Sequence, residues 1–392
     1  MTHRSDIAAL VLAAGFSSRM KKFKPLLPLG HSTALERCVS LFQCAGIHDV
    51  RVIVGHRADA LIPMLDQWGV RWVINHGFEA GMISSVKTGV ADLESSKRAF
   101  FLLPVDVPLV RRTTVQDLLD AHKTQSADVW YPTFLGKRGH PPLISMKYRP
   151  ALLALQGEGG LRAFLHEREP QAIDVKVADE HILVDMDSPE QYEAALARLD
   201  DCDIPSVCEC TVLLTEKFRV ERHILAHSIK VAQVATQLAR KLNKADCNLN
   251  VKLIVAAALL HDAAKGRPNH AAEAARSLTE LGYETVAQVV GAHMDTQPLL
   301  GEPISAAEVV CFADKMVQAD RIVPVEKRFG NRLGICGEDS RMAAIVSQRL
   351  FNVLSIKERL EAALGSSVES VLSSVLSNGG EAWDGDLSLE AR

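Results

Sequence analysis

The sequence predicts an α/β unit followed by an all-helical unit. Three observations lead there. Residues 1 to about 200 alternate short apolar runs with helical periodicity, which argues for a mainly parallel sheet with helices on both faces. The alternation stops near Asp200, and beyond it the patterning is helical with no convincing sheet. At 392 residues the chain is long for one domain and comfortable for two.

Composition narrows the class. Hydrophobic content of 47% and charged content of 23% are those of a soluble globular protein. A formal net charge of −4 gives no electrostatic case for nucleic acid or an anionic membrane. No apolar run reaches the roughly 18 residues of a membrane span. Met1-Thr2-His3-Arg4-Ser5-Asp6 leads into a short apolar stretch that reads as a strand and not as a signal peptide. Eight mostly scattered cysteines suit a reducing compartment, so a cytoplasmic protein is expected. Cys202, Cys208 and Cys210 match no common zinc spacing and read as free thiols in a linker.

The first unit has strand candidates at Ile7–Leu12, Val50–Val54, Trp72–Ile74, Phe100–Val105, Val129–Tyr131 and Val175–Val177. Helix candidates between them include Thr33–Ala45, Met82–Leu93 and Thr114–His122. In such folds ligands bind beyond the carboxyl ends of the strands, so the loops that follow strands carry the chemistry. The first of these is Leu12-Ala13-Ala14-Gly15-Phe16-Ser17-Ser18-Arg19-Met20, closed by Lys24-Pro25-Leu26-Leu27-Pro28-Leu29. Small residues at a strand end let backbone N–H groups approach phosphate oxygens, and Arg19 and Lys24 add positive charge beside them. The loop is neither a P-loop nor a G-x-G-x-x-G turn.

Asn75-His76-Gly77-Phe78-Glu79-Ala80-Gly81-Met82-Ile83-Ser84-Ser85 follows the third strand. Ser84 or Ser85 suits the N-cap of the next helix. Asp106 lies between Pro104 and Pro108 at a strand end, where a carboxylate is well placed to hold Mg²⁺. Asp187, in Asp185-Met186-Asp187-Ser188-Pro189-Glu190, precedes Ser-Pro-Glu, a standard helix start, and so suits a helix cap. Gly136-Lys137-Arg138-Gly139-His140-Pro141-Pro142 is a turn ahead of an apolar strand.

These segments, in this order, resemble the MobA-like nucleotidyltransferases, whose signature is L-A-[AG]-G-x-S-x-R-M-G-x-x-K. The A-A-G and P-L-L-P-L versions are similar to the molybdenum cofactor cytidylyltransferase type. Lys21 stands where that family has Gly. The resemblance spans residues 5–197 and extends to Gly157-Glu158-Gly159-Gly160-Leu161-Arg162. It implies a Rossmann-like sheet and a nucleoside triphosphate site lined by Leu12, Ala13, Ala14, Gly15, Asn75, Gly81 and Ser84. It places Arg19 and Lys24 on the triphosphate, Mg²⁺ on Asp106 and Asp187, and His140 near the acceptor. CTP is the implied nucleotide, Ala14 narrowing the space under the base. Molybdopterin is the implied acceptor, with a molybdoenzyme as a further partner. A sugar 1-phosphate acceptor is the alternative.

In the second unit, Asp200 to Cys210 reads as a polar linker. Ile224, His227, Val231, Val234, Leu238 and Leu242 then fall on one helical face. A lone His there would be a core residue. Val251–Leu260 is apolar on every face and ends in His261-Asp262-Ala263-Ala264-Lys265-Gly266. Val286, Val289, Val290 and His293 form a further stripe, and Val310, Asp314 and Val317 another. Buried polar groups need partners, and one metal centre would satisfy all of them. An amphipathic helix follows around Ala343–Ala363, and the tail from Ser377 is polar.

The order H…HD…H…D resembles the HD-domain phosphohydrolases over about residues 215–330. The resemblance implies His227, His261, Asp262 and Asp314 as metal ligands, with His293 and His270 as extra histidines. Lys265 matches the lysine that follows the HD pair, and His223 reads as a surface bystander. Nitrogen and oxygen ligation suits Mn, Fe, Ni, Zn or Mg. A metal- or nucleotide-sensing module without turnover is the alternative. The expected organisation is 1–200 transferase, 201–214 linker, 215–376 helical domain and 377–392 tail.

Overall fold

A computed structural model of the chain describes residues 6–156, 159–298, 301–336 and 340–377. The first five residues, Gly157 and Glu158 of the glycine-rich segment, and the tail after Ser377 lie outside the described residues. Two units divide at Asp200 and Asp201.

In the first unit, strands β1 (Ile7–Ala13), β4 (Val50–Val54), β5 (Arg71–Ile74), β6 (Ala99–Pro104), β7 (Val129–Phe134), β9 (Leu143–Ser145) and β10 (Ala172–Lys176) form one sheet. Their order is β10-β7-β9-β6-β1-β4-β5, with β8 (Lys137–Arg138) added to β7. A small hairpin of β2 (Pro28–Leu29) and β3 (Ser32–Thr33) stands apart. All pairings in the large sheet are parallel except those of β8 and β9, so the sheet is mainly parallel as the alternation predicts. Helices α1 (Ala34–Cys44), α2 (Ala58–Gln67), α3 (Met82–Asp92), α4 (Arg112–Thr124), α5 (Arg149–Ala154), α6 (Gly160–His166) and α7 (Pro189–Leu199) connect the strands.

β1 is buried along all seven residues because it lies between β4 and β6. Each large side chain buried there stabilises the unit by about 1.5–3 kcal/mol. A charge at Leu10, which has no exposure, would break the sheet at its centre. The register pairs Ala13 with Val54 and Leu12 with Pro104, so β1, β4 and β6 end at one level. The loops that begin at Ala14, Gly55 and Val105 therefore open on the same edge.

The second unit holds α8 (Val207–Val212), α9 (Arg222–Asn243), α10 (Val251–Leu260), α11 (His270–Glu280), α12 (Glu284–Ala292) and α13 (Ala306–Lys315). Strands β11 (Val317–Gln318) and β12 (Arg321–Ile322) follow, then α14 (Val325–Cys336), α15 (Ser340–Leu364) and α16 (Val368–Ser377). Two sequence expectations change here. Val317 belongs to a short antiparallel hairpin and not to the α13 stripe. Ala319, at a φ of 54°, supplies the left-handed turn that ends the helical run. Cys208 and Cys210 sit on a helix rather than in a polar linker, since Ser206 and Glu209 form a capping box that starts α8 early. Cys210 is fully buried, and burial pushes its thiol well up. No helix among the described residues is long and apolar enough to cross a membrane.

Candidate active sites

The first site gathers at the carboxyl ends of β1 and β6. Asp106 follows β6 by two residues, and its carbonyl accepts the Met186 N–H at 2.9 Å. Met186 is fully buried against Met20, Leu27, Leu29, Leu109 and Tyr192. That apolar anchor fixes the next residue, Asp187, beside Asp106.

The N-cap of α7 is Ser188, paired with Gln191 in a capping box. The cap reading of Asp187 is thus corrected, and its carboxylate is free to face the site. Lys24 stands between the two acids, with Nζ 2.9 Å from Asp106 Oδ2 and 2.5 Å from Asp187 Oδ1. Arg19 Nη2 lies 2.6 Å from Asp187 Oδ2 and is 74% exposed. Burial works against the Lys24 ammonium, but the two carboxylates outweigh it, and its pKa is raised. The Lys24 backbone N–H donates to Ser17 Oγ at 3.1 Å, which ties the β1 loop to the lysine. Lys21 takes a φ of 55°, the backbone conformation that a glycine there would favour.

Asn75 is buried and organises its own loop. Its Nδ2 donates to Ser84 Oγ at 2.8 Å and Ser85 Oγ at 3.0 Å, and its Oδ1 accepts the Gly77 N–H at 3.0 Å. Neither serine caps α3: Gly81 does, at a φ of 88° that excludes a side chain. Ser84 Oγ instead donates to the Gly81 carbonyl at 2.7 Å. Leu12, Ala13 and Ala14 are buried, and Gly15 is exposed.

A cavity of about 1080 Å³ adjoins the acids, lined among others by Arg19, Met82, Tyr131, His140 and Arg162. Among the described residues the buried His140 Nδ1 meets no hydrogen-bond partner, and burial holds the imidazole pKa down.

The second site lies where five helices of the other unit meet. His227 comes from α9, and His261 and Asp262 directly follow α10. His270 opens α11, His293 follows α12 and Asp314 belongs to α13. Ligand atoms of His227, His261 and Asp314 lie within 4.8 Å of one another, as do those of His261, Asp262 and His293. Nδ1 of His227 donates to the Ala319 carbonyl at 2.9 Å. Nδ1 of His261 donates to Ala258 O at 2.8 Å, and that of His293 to Val290 O at 2.7 Å. Each neutral imidazole then presents the Nε2 lone pair inward.

Nε2 of His261 and of His293 are buried and meet no hydrogen-bond partner among the described residues. His227 Nε2 faces Asp314 Oδ1 at 3.2 Å, so two acceptors oppose each other unless a cation stands between them. Burial drives the His261 pKa down, and burial with the neighbouring His261 puts His293 at about 3. Burial alone would raise both acids, but their cationic neighbours hold them well below the usual carboxylate range. The donor set of imidazole nitrogens and carboxylate oxygens fits a divalent transition metal.

Lys265 Nζ lies 2.9 Å from Asp262 Oδ2, and His270 Nε2 lies 3.3 Å from Asp262 Oδ1. A cavity of about 420 Å³ opens on these residues, lined by Lys265, Arg328 and Arg332. His223 stands at its rim, with its side chain 74% exposed.

Residues 9–172 match the model of the MobA-like NTP transferase domain. A nicotine blue oxidoreductase from Paenarthrobacter nicotinovorans is 31% identical over 47% of this chain and 94% of its own length. The chain belongs to the MobA-like NTP transferase family. Residues 224–318 match the HD domain, so an HD unit follows the transferase unit. The molybdenum cofactor cytidylyltransferase of Escherichia coli is 26% identical over 50% of this chain and 97% of its own. A solved nucleotidyl transferase from Methanothermobacter thermautotroptrophicus is 23% identical, with a TM-score of 0.44, over 49% of this chain and 97% of that one.

Sequence reasoning missed several residues at these sites. In the transferase unit they are Ser17 and Tyr131. In the HD unit they are Lys315 and Arg328. Lys315 is 2% exposed and its Nζ donates to Asp314 Oδ2. Its signal was visible: Asp314-Lys315 is a charged pair inside the apolar run from Val309 to Val317. Arg328 donates to the carbonyls of Asp314 and Val317, a contact with no periodicity to announce it.

Proposed function

We propose that the transferase unit moves CMP from CTP to molybdopterin and releases pyrophosphate, and that the HD unit hydrolyses a phosphate ester. One observation carries the first part. Asp106 and Asp187, far apart in the chain, converge on a single cation beside a small-residue loop. Asp106 and Asp187 would hold magnesium, which when bound offsets charge on the phosphate oxygens.

The chain's own residues do the rest. The loop amides from Ala14 onward face the triphosphate. Arg19 is exposed and, among the described residues, is held by Asp187, a carboxylate that it can exchange for a phosphate oxygen. The acceptor phosphate attacks the α-phosphorus in line from the large cavity. Positioning and charge supply most of the acceleration. The choice of CTP and molybdopterin rests on the likeness to the cytidylyltransferase.

In the HD unit, His227, His261, Asp262 and Asp314, with His293, would hold a divalent transition metal, which when bound activates water and polarises a phosphoryl group. Lys265, Arg328 and Arg332 would receive the phosphate. The buried, unpartnered Nε2 atoms support this reading. A cytoplasmic location fits the free cysteines.

A second reading follows from the relative at 31% identity, which is named an oxidoreductase. It requires a reaction that releases no pyrophosphate. Incubation with each NTP, Mg²⁺ and a molybdopterin source, following pyrophosphate, separates the two. Release with CTP at least about tenfold faster than with GTP is expected, a gap of only ~1.4 kcal/mol in transition-state binding. Absence of release with every NTP would overturn the transfer.

A further inference from the structure

Beside the small-residue loop stands a group of aromatic rings that neither the carboxylates nor the large cavity uses. Phe16 is 50% exposed, unusual for a phenylalanine next to a buried strand end. Its ring centroid lies 5.1 Å from that of His56 and 5.2 Å from that of Phe78. Phe23 meets His56 edge-on at 6.1 Å, and the Arg57 guanidinium lies 4.9 Å from the Phe23 centroid.

These rings come from three loops at the carboxyl edge of the sheet. They are fixed there by close packing. A Cβ on Gly55 would fall 2.8 Å from Ala14 Cβ and 2.9 Å from Phe78 Cβ, so only glycine lets the loops meet. Two of the rings adjoin the phosphate-side residues directly. Phe16 precedes Ser17, whose Oγ accepts the Lys24 N–H, and Phe23 precedes Lys24 itself.

We infer that Phe16, backed by His56 and Phe78, is a stacking platform for the base of the nucleoside triphosphate. The inference rests on the nucleotide reading of the transferase unit and adds to it where the base lies. Phe16 and the Arg19 and Lys24 cations stand on one loop, the one that follows β1. A planar heteroaromatic ring gains from an exposed aromatic face whichever base it is. The platform therefore supplies affinity for nucleotides, and base selectivity comes from groups at the base edge.

The test is calorimetric titration of the full chain, with Mg²⁺, using CTP and inorganic tripolyphosphate in parallel. The wild type should bind CTP more tightly than tripolyphosphate. Phe16→Ala should weaken CTP by about tenfold and leave tripolyphosphate within about twofold. Phe16→Trp should keep the CTP affinity, and Phe16→Leu should resemble Phe16→Ala. Equal weakening of both ligands, no weakening of either, or no CTP preference in the wild type would overturn the platform. The expected pattern without pyrophosphate release would sink the transfer reaction and leave the platform standing.

Discussion

The two sites solve the problem of converging polar groups in opposite ways. In the transferase unit the charges are balanced by the chain itself: Lys24 and Arg19 neutralise Asp106 and Asp187. In the HD unit the histidines are locked by backbone carbonyls, and two of their inward nitrogens have no hydrogen-bond partner among the described residues. A self-compensated site folds alone and exchanges its internal cation for a ligand. A site with orphaned lone pairs is built around a charge that it must acquire. Metal should therefore matter to the stability of the HD unit and to the activity of the transferase unit.

The largest expected effect tests the self-compensated side. Asp106→Ala should abolish pyrophosphate release, a loss of at least about 10²–10³-fold, while circular dichroism stays native. Asp106 lies in a loop past the sheet, so the core survives. Full activity in the variant would remove Asp106 from the site.

Next comes the dependence of the HD unit on metal. A metal held at about a thousand times its dissociation constant adds ~4 kcal/mol of stability. For a domain of this size that is roughly 8–16 °C in Tm. Scanning calorimetry with and without a chelator should show one transition falling and the other unmoved. Two unmoved transitions would contradict the contrast.

Acid and alkali should separate the units too. In metal-stripped protein His261 and His293 have folded pKa values below the unfolded value, His293 at about 3. The unfolded chain then binds more protons below about pH 6.5, so stability falls on acidification by up to ~1.4 kcal/mol per pH unit per histidine. The acids add a further loss below about pH 3.8, because their folded pKa values are depressed. Lys24 runs the other way. Its raised pKa contributes stability that is complete below about pH 10.5 and is lost as pH rises through the folded value. Denaturant midpoints measured from pH 4 to 11 check both signs.

The smallest effect concerns Lys21. Its left-handed backbone costs roughly 1–2 kcal/mol, partly returned by the lower entropy of an unfolded Lys relative to Gly. Lys21→Gly should stabilise the transferase unit by about 0.5 kcal/mol and leave turnover intact. Destabilisation beyond ~1 kcal/mol would show that the Lys21 side chain has a structural role.

The parts that were legible in the sequence have a physical signature. β1, with seven buried residues, leaves an apolar run, and α10, buried over most of its length, leaves another. Asp106 was visible because two prolines flank it at a strand end. Asp187 stayed ambiguous until the neighbouring Ser188 took the cap. The antiparallel insertion of β9 between β6 and β7 was hidden, since its three residues set no period. Arg328 was hidden for a similar reason: it binds carbonyl oxygens, and a carbonyl is present at every residue.

The most direct test of two separate sites is one variant with two readouts. His261→Ala combined with Asp262→Ala, made in the full chain, removes two ligands where lone pairs and carboxylates converge. Elemental analysis of the purified wild type should find roughly one or two transition-metal ions per chain, and the variant almost none. Pyrophosphate release from CTP should be the same in both. A wild type without metal after growth in metal-rich medium, or a variant that keeps its metal, would contradict the account, as would loss of cytidylyl transfer in a variant that remains folded.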